Sequence, residues 1–296
     1  MTKMSFLYSG ENKELNDETR KAATSGAFAR LPEGVTHYEL GGPKDGQLIT
    51  LVHGFSVPYF IFDPTFEFLT ASGFRVLRYD LFGRGWSDRP NLPYNIHLFV
   101  KQLADLLDAL NIKQPATVAG LSMGGPISTA FIDKYPERVS RHILIDPCGI
   151  KPILLSRTLR SALMSGIGEL IVGLFGSGNL LKNAAADFFN PVSIEHFRSK
   201  YKVQMQFRGF KRAILSSVRN DMLGSFYDYY QRVGRLNKPT LLFWGCNDTT
   251  VPFEQSKDIL AALPHAEFHA LENCGHIPHY EKPQVVNPLL LEFLRK

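Results

Sequence analysis

Cysteine is scarce in this chain: three in 296 residues, at Cys148, Cys246 and Cys274. Three thiols cannot all pair with one another, and none stands in a C-x-x-C pair. Neither a disulfide framework nor a thiolate metal site is indicated. The nine histidines are scattered without metal-ligand spacing, so no metal is expected. Charge of one sign is also lacking. Lys and Arg number 33 against 28 Asp and Glu, a formal net charge of +5, with no cluster dense enough for a nucleic-acid groove. The densest basic group, Arg208, Lys211 and Arg212, suits a solvated helix face. No stretch reads as a transmembrane span. At the N-terminus, Met4-Ser5-Phe6-Leu7-Tyr8 is too short an apolar run for a secretory signal, and charged residues soon follow. A reducing, cytoplasmic setting is therefore the expectation. Internal repeats and low-complexity tracts are absent as well.

What is present fits one large core. The hydrophobic share is 44% and the charged share 21%, ordinary for a globular protein of this length. Residues 1–34 read as a polar lead-in with a short helix near Asp17 to Phe28. From Val35 onward, strand-like runs alternate with helical periods. Gln47 to Val52, Phe74 to Tyr79, Ala116 to Ala119, His142 to Asp146, Thr240 to Trp244 and Ala266 to Leu271 read as strands. The clearest helix carries Ile96, Phe99, Val100, Leu103, Leu106, Leu107 and Leu110, mostly at steps of three and four. Gln255 to Leu263 and Val285 to Arg295 also read as helical, with Pro288 expected to delay or kink the latter. Such alternation implies an α/β protein with a mainly parallel sheet and helices on both faces.

Chemistry concentrates at the ends of these strands. Gly120-Leu121-Ser122-Met123-Gly124 follows the third parallel run directly and precedes a helical segment. A strand turning sharply into a helix needs small flanking residues, and a serine there is strained with its hydroxyl pushed outward. The bland alternative is a βα turn with a capping serine. Asp248 follows the strand at Thr240 to Trp244, and His276 follows the strand at Ala266 to Leu271. In an open α/β sheet that edge is where ligands bind. The chain order is serine, aspartate, histidine. Asp146 is a rival acid because it too ends a strand, and His279 is a rival base by proximity. Upstream, the strand ending at Val52 runs into His53-Gly54-Phe55-Ser56, where a glycine lets main-chain amides approach a developing oxyanion. The His53 side chain reads as structural. Asp80, in an Asp-x-x-Gly-x-Gly-x-Ser pattern, reads as a loop brace. Cys246 and Cys274 each lie two residues before a candidate site residue, and they read as small apolar residues packed under those loops rather than as a bonded pair.

Taken together, His53-Gly54-Phe55, Asp80-Leu81-Phe82-Gly83-Arg84-Gly85-Trp86-Ser87, Gly120-Leu121-Ser122-Met123-Gly124-Gly125, Trp244-Gly245-Cys246-Asn247-Asp248 and Gly275-His276 carry a resemblance. The chain resembles the α/β-hydrolase superfamily from about Tyr38 to Leu294. Within it, the chain is most similar to serine esterases and lipases of the bacterial family V kind and to monoacylglycerol-lipase-like enzymes. The resemblance implies a catalytic triad of Ser122, Asp248 and His276, oxyanion donors at the amides of Phe55 and Met123, and no cofactor. Dehalogenases and epoxide hydrolases of this fold carry aspartate at the elbow, and position 122 is serine. The resemblance also implies a helical cap, assigned to residues 147–236, inserted into a core of residues 35–146 and 237–296.

In that interval strand patterns stop. Leu155, Leu159, Leu163, Ile167, Leu170, Ile171 and Leu174 form a helical stripe. Arg157, Arg160 and Glu169 interrupt it. The plain reading is that the stripe packs on the core. The sharper one is that an edge of it, with Phe188 and Phe189, lines an acyl pocket or makes transient contact with a lipid surface. The leading expectation is hydrolysis of short- to medium-chain carboxylic esters, monoacylglycerols among them, with a small-molecule ester as the substrate and no nucleic-acid partner. A second is cleavage of a carbon–carbon bond in a vinylogous diketone acid, which needs convergent cap arginines from among Arg157, Arg160, Arg198, Arg208, Arg212 and Arg219. A third is a non-catalytic small-molecule receptor on the same scaffold.

Overall fold

The computed structural model describes residues 8, 10–153, 163–164, 167–190 and 194–296. Leu155 and Leu159 of the apolar stripe, and Arg157 and Arg160, lie outside the described residues.

Eight strands form one sheet: β1 (Ala27–Leu31), β2 (Gly34–Gly41), β3 (Leu48–Val52), β4 (Arg75–Tyr79), β5 (Ala116–Leu121), β6 (Val139–Ile145), β7 (Thr240–Gly245) and β8 (Glu267–Leu271). Their spatial order is β1-β2-β4-β3-β5-β6-β7-β8. The β1–β2 and β2–β4 pairs are antiparallel, and all later pairs are parallel. This is the α/β-hydrolase fold, a mostly parallel sheet flanked by helices. The sheet begins earlier than the sequence reading put it. Residues 1–34 were expected to lie ahead of the sheet, with a helix reaching Phe28. Instead α1 spans Asp17–Arg20, and β1 at Ala27–Leu31 pairs with β2. As an edge strand β1 buries only Leu31, so it lacks the apolar run that betrays a central strand.

The parallel strands are apolar on both faces, and side chains alternate between them except at the start of β6, where the register with β5 shifts. Leu48, Val52, Val118, Leu144, Leu242 and Trp244 feed one core cluster; Ile49, Leu51, Ala119, Ile143, Leu241 and Phe243 feed the other. Side chains two apart share a face, so each strand must be covered twice. On the first face lie α3 (Ile96–Ala109), α4 (Gly124–Lys134), α8 (Tyr227–Gly234) and α9 (Ser256–Ala262), through residues such as Leu103, Phe131, Tyr230 and Ile259. On the second lie α2 (Asp63–Ala71) and, after the short α10 (Pro278–Glu281), α11 (Pro283–Arg295), through Leu69 and Leu290. Helix α3 opens on Asn95, whose side chain accepts the Leu98 N–H, satisfying one of the donors a helix start leaves open. Pro288 sits inside α11, which runs continuously from Pro283.

Between β6 and β7 the described elements are helices only: α5 (Ile167–Ala186), α6 (Ile194–Gln204), α7 (Phe210–Arg219) and α8. Of these, α8 packs against α4, so the end of the 147–236 interval belongs to the layer beneath the sheet. Val172 of α5 packs against Leu215 of α7. Leu163 and Leu170 are exposed, at 41% and 49%, so at those positions the stripe does not bury against its own domain. Among the described residues no helix is long and apolar enough to cross a membrane.

Candidate active site

Strand β3 is the pivot of the topology. Beside it β4 leads one way and β5 the other. A crevice forms where chain connections diverge like this, outside the carboxyl ends of the two strands. Gly54 lies just past β3, and Ser122 just past β5. A Cβ built on Gly54 would lie 3.1 Å from Ser122 Cβ and 3.6 Å from its Oγ, so the two strand ends meet there.

Ser122 has φ of 52°, a left-handed conformation that non-glycine residues rarely hold without surrounding constraint. The constraint is visible. Its N–H donates to Ile145 O (3.0 Å), and its carbonyl accepts from Gly125 (2.9 Å) and Cys148 (3.1 Å). The two flanking glycines admit no side chain: a Cβ at Gly120 would lie 2.2 Å from Gly124 O, and one at Gly124 would lie 2.1 Å from Val52 O. The neighbouring main chain offers donors. Neither the Phe55 nor the Met123 amide donates to another described residue, and α4 starts at Gly124, adding the positive end of a helix dipole.

His276 and Asp248 are brought together. Nδ1 of His276 lies 2.7 Å from Asp248 Oδ2, and both residues are buried. Asp248 Oδ1 accepts the amides of Thr250 (2.7 Å) and Val251 (2.9 Å), which leaves Oδ2 for the imidazole. Burial alone would lower the His276 pKa. The charge and hydrogen bond of Asp248, with the charge of Asp187 behind them, outweigh it and raise the group from 6.5 to about 8. Opposite charge within a few ångströms favours the protonated form in this way. The rivals sit differently. His279 is buried against Phe62, and burial drives its pKa down to about 3. Asp146 lies beside the pair: one oxygen of each carboxylate and one His276 ring nitrogen fall within 4.8 Å of one another.

The remaining expectations find definite places. His53 Nδ1 meets its neighbour's carbonyl, Gly54 O, at 2.9 Å, and Nε2 accepts the Leu81 amide at 2.9 Å; burial lowers its pKa to about 4. Asp80 accepts from the Tyr59 and Trp86 amides (2.9 Å each) and meets His37 Nδ1 at 2.8 Å, as a loop brace does. Cys274 is buried, Cys246 is partly exposed, and both are free thiols. Phe188 is buried, but Phe189 is 48% exposed.

Three contributors escaped the sequence reading. The buried Arg84 donates to Phe55 O (2.8 Å), Phe82 O (3.2 Å) and Ser217 Oγ (2.9 Å), holding the loop after β3. Gln204 of α6 donates to Ser56 O (2.8 Å) and accepts from the Gly85 amide (2.9 Å). Asp187, past α5, accepts the His276 amide at its carbonyl (2.8 Å) and the Thr250 hydroxyl at its carboxylate (2.7 Å). A cavity of about 370 Å³ also lies between Tyr59, Trp86, Lys200 and Phe207. None of Ser122, Asp248 and His276 lines it.

A strained serine on a strand-to-helix turn, a buried His–Asp pair and two free amides stand along one edge of a parallel sheet. The alpha/beta hydrolase family model matches residues 51–289 of this chain, most of its length. The chain belongs to the alpha/beta hydrolase family. Among its relatives is the 2-hydroxy-6-oxononadienedioate/2-hydroxy-6-oxononatrienedioate hydrolase 2 of Pseudomonas putida, 28% identical over 92% of this chain and 97% of that one. Another is the 2-hydroxy-6-oxo-6-phenylhexa-2,4-dienoate hydrolase of Burkholderia cepacia, also 28% identical, over 92% and 97%. In structure the chain is similar to a meta-cleavage product hydrolase from Pseudomonas fluorescens, with TM-score 0.74 and 24% identity over 91% of this chain and 97% of that one. In this alpha/beta hydrolase Ser122 follows β5, Asp248 follows β7 and His276 follows β8.

Proposed function

We propose that the chain hydrolyses a bond beside a carbonyl through an acyl-enzyme. Ser122 is the nucleophile, His276 the general base and acid, and Asp248 the carboxylate that orients the imidazole and stabilises its charged form. The amides of Phe55 and Met123 receive the oxyanion. The reading rests above all on the 2.7 Å contact between His276 and Asp248 at the sheet edge that carries the left-handed Ser122. Ser122 Oγ attacks the carbonyl carbon as His276 takes its proton. The oxyanion collapses, and His276 returns the proton to the leaving group. Water, deprotonated by His276, then releases the acyl group and restores Ser122. No step calls for a cofactor. The part of residues 147–236 that precedes α8 acts as the cap, and Gln204 and Asp187 tie it to the loops after β3 and β8.

The leading substrate class is a vinylogous diketone acid, cleaved at a carbon–carbon bond. Both relatives are named for substrates that join a 2-hydroxy dienoate to a 6-oxo group. Ketonisation of the enol makes the bond beside the 6-oxo carbon breakable: the acyl carbon stays on Ser122, and the other carbon leaves as a dienolate that takes up a proton. This replaces ester hydrolysis as the first reading.

Ester hydrolysis stays as a second reading because of one observation. Of the six arginines considered for a substrate carboxylate, the four that are described are all engaged by the chain: Arg198 with Glu195 (2.9 Å), Arg208 with Glu14 (2.6 Å), Arg212 with Arg89 O (2.6 Å) and Arg219 with Glu169 (2.5 Å). A short- or medium-chain acyl ester needs no such cation. A buried methylene contributes about 0.8 kcal/mol, so a pocket of limited depth favours chains that just fill it. The test is a 2-hydroxy-6-oxo dienoate beside a p-nitrophenyl series from acetate to palmitate. The first reading expects kcat/KM on the dienoate to exceed the best ester by at least about tenfold, a difference of about 1.4 kcal/mol in barrier. Turnover confined to esters would hand the site to the second.

Either substrate should show the same pH dependence. Imidazolium has no lone pair to accept the Ser122 proton, so the protonated form is inactive. With the His276 pKa raised to about 8, kcat/KM should rise with pH up to about 8 and level off above it. A profile already flat between about pH 6 and 8 would remove His276 from the role of base.

A further inference from the structure

Asp146 was the rival for the place of Asp248, and the hydrogen bond to His276 went to Asp248. Its position still needs a chemical account. Asp146 caps β6 at φ of 41°, and its amide donates to Phe243 O at 3.0 Å, so its backbone is fixed at the sheet edge. The side chain is completely buried. Oδ1 accepts the Gly245 amide at 2.9 Å. Oδ2 is buried and meets no donor of the described chain. An ionised oxygen so placed would be costly, since a buried acceptor left unpaired loses its hydration with no return.

The neighbours make ionisation worse. Asp248, from the loop after β7, shares the space within 4.8 Å. Asp187, past α5, adds a second negative group. His276, after β8, offers its Nδ1 to Asp248. Cys274, on the same loop, is a buried thiol with its pKa pushed up. Two carboxyl groups this close and this buried cannot both hold a full charge, so one keeps a proton. The donor count says which. Asp248 is met by two amides and an imidazole, whereas Asp146 is met by one amide. The anion belongs where the donors are, and the proton belongs on Asp146 Oδ2. That proton turns the orphaned acceptor into a donor, and the Asp248 carboxylate is beside it.

We propose that Asp146 is a positioning residue of this site: a neutral, buried carboxylic acid whose Oδ2–H donates to Asp248 and holds the carboxylate that holds His276. The inference rests on the triad reading above. It adds a fourth member behind the triad acid, fixing Asp248 against rotation and biasing its charge toward the imidazole. Burial first, and the charge of Asp248 next, raise the Asp146 carboxyl well above the usual carboxylate range, the direction that a retained proton requires. The role fits the shape as well. An Asp146 amide variant would keep an acceptor for Gly245 and an N–H donor for Asp248, whereas a methyl would keep neither.

The experiment combines spectroscopy and kinetics on the full chain. Infrared difference spectra of wild type and Asp146→Asn at pH 7 should contain the C=O stretch of one protonated carboxylic acid, lost in the variant. In kinetics on whichever substrate is turned over, Asp146→Asn should keep kcat within about threefold and leave the pH midpoint in place, because donor and charge are both conserved. Asp146→Ala should lower kcat by about tenfold or more with KM little changed, and the asparagine variant serves as its rescue. A spectrum without the lost band overturns the proposal, whatever the enzyme's substrate proves to be. So does a midpoint that falls by about one unit or more in Asp146→Asn, since removing a true anion would lower the His276 pKa. An alanine variant as active as wild type would also overturn it. If Asp146→Ala does not fold, the infrared band and the asparagine midpoint decide alone.

Discussion

Ser122→Ala lowers turnover by about 10⁴- to 10⁶-fold, the range expected when the nucleophile of a serine triad is removed. The fold should survive. Alanine takes away one oxygen from a position that is 9% exposed and leaves the main-chain bonds to Ile145, Gly125 and Cys148 in place. The left-handed backbone, at φ of 52°, is no harder for alanine than for serine. Circular dichroism and thermal unfolding of the variant should therefore match wild type while kcat collapses on every substrate. A folded Ser122→Ala protein with full activity would remove the nucleophile, and with it the acyl-enzyme.

The second large effect belongs to Asp248. Asp248→Asn should cut kcat by about 10³- to 10⁴-fold, the scale seen when a triad carboxylate becomes an amide. The amide cannot stabilise the imidazolium by charge, and its NH₂ group competes for the wrong imidazole tautomer. KM should change little, because Asp248 is buried and acts through its bond to His276. The pH midpoint should fall as well, since Asp248 is what raises the His276 pKa against burial. The comparison with Asp146→Asn is decisive for the ranking of the two acids. A greater loss in the Asp146 variant would make Asp146 the working partner of His276.

How much of this was legible in the residues depends on what kind of pattern each feature leaves. The central strands announced themselves because both faces are buried, so Leu48 to Val52 and Ala116 to Leu121 are apolar throughout or nearly so. Edge strand β1 leaves no such mark, since four of its five residues escape full burial. Ser122 was readable from its glycines, and the structure gives the reason: each would drive a Cβ into main chain. Asp146 and Asp248 both follow strands, and in the sequence only the resemblance around Trp244 to Asp248 sets the second ahead. In the structure the backbone after β7 aims Asp248 at His276 Nδ1. Asp187 left no pattern to read, for its carbonyl holds the His276 amide, which any residue type could do, and its carboxylate meets Thr250 across 63 positions of sequence. Arg84 and Gln204 act on the main chain of Phe55, Ser56 and Gly85, across 29 to 148 positions of sequence.

The bond to be cleaved was the least legible feature. The motifs report how a carbonyl is attacked, and esters and vinylogous diketones present the same carbonyl to the same serine. What separates them is the recognition of a carboxylate. Four of the six arginines considered for that task are committed to the chain, and the other two lie outside the described residues. The names of the relatives supply the direction here, and the substrate panel supplies the answer.

The most direct test of the central claim, that Ser122 is a nucleophile activated by His276 and Asp248, is covalent labelling by a fluorophosphonate followed by peptide mass mapping. The account predicts one adduct per chain on the peptide containing Ser122. It predicts much slower labelling in Asp248→Asn and none in Ser122→Ala. An adduct on another residue, or undiminished labelling of a folded Ser122→Ala protein, would contradict it.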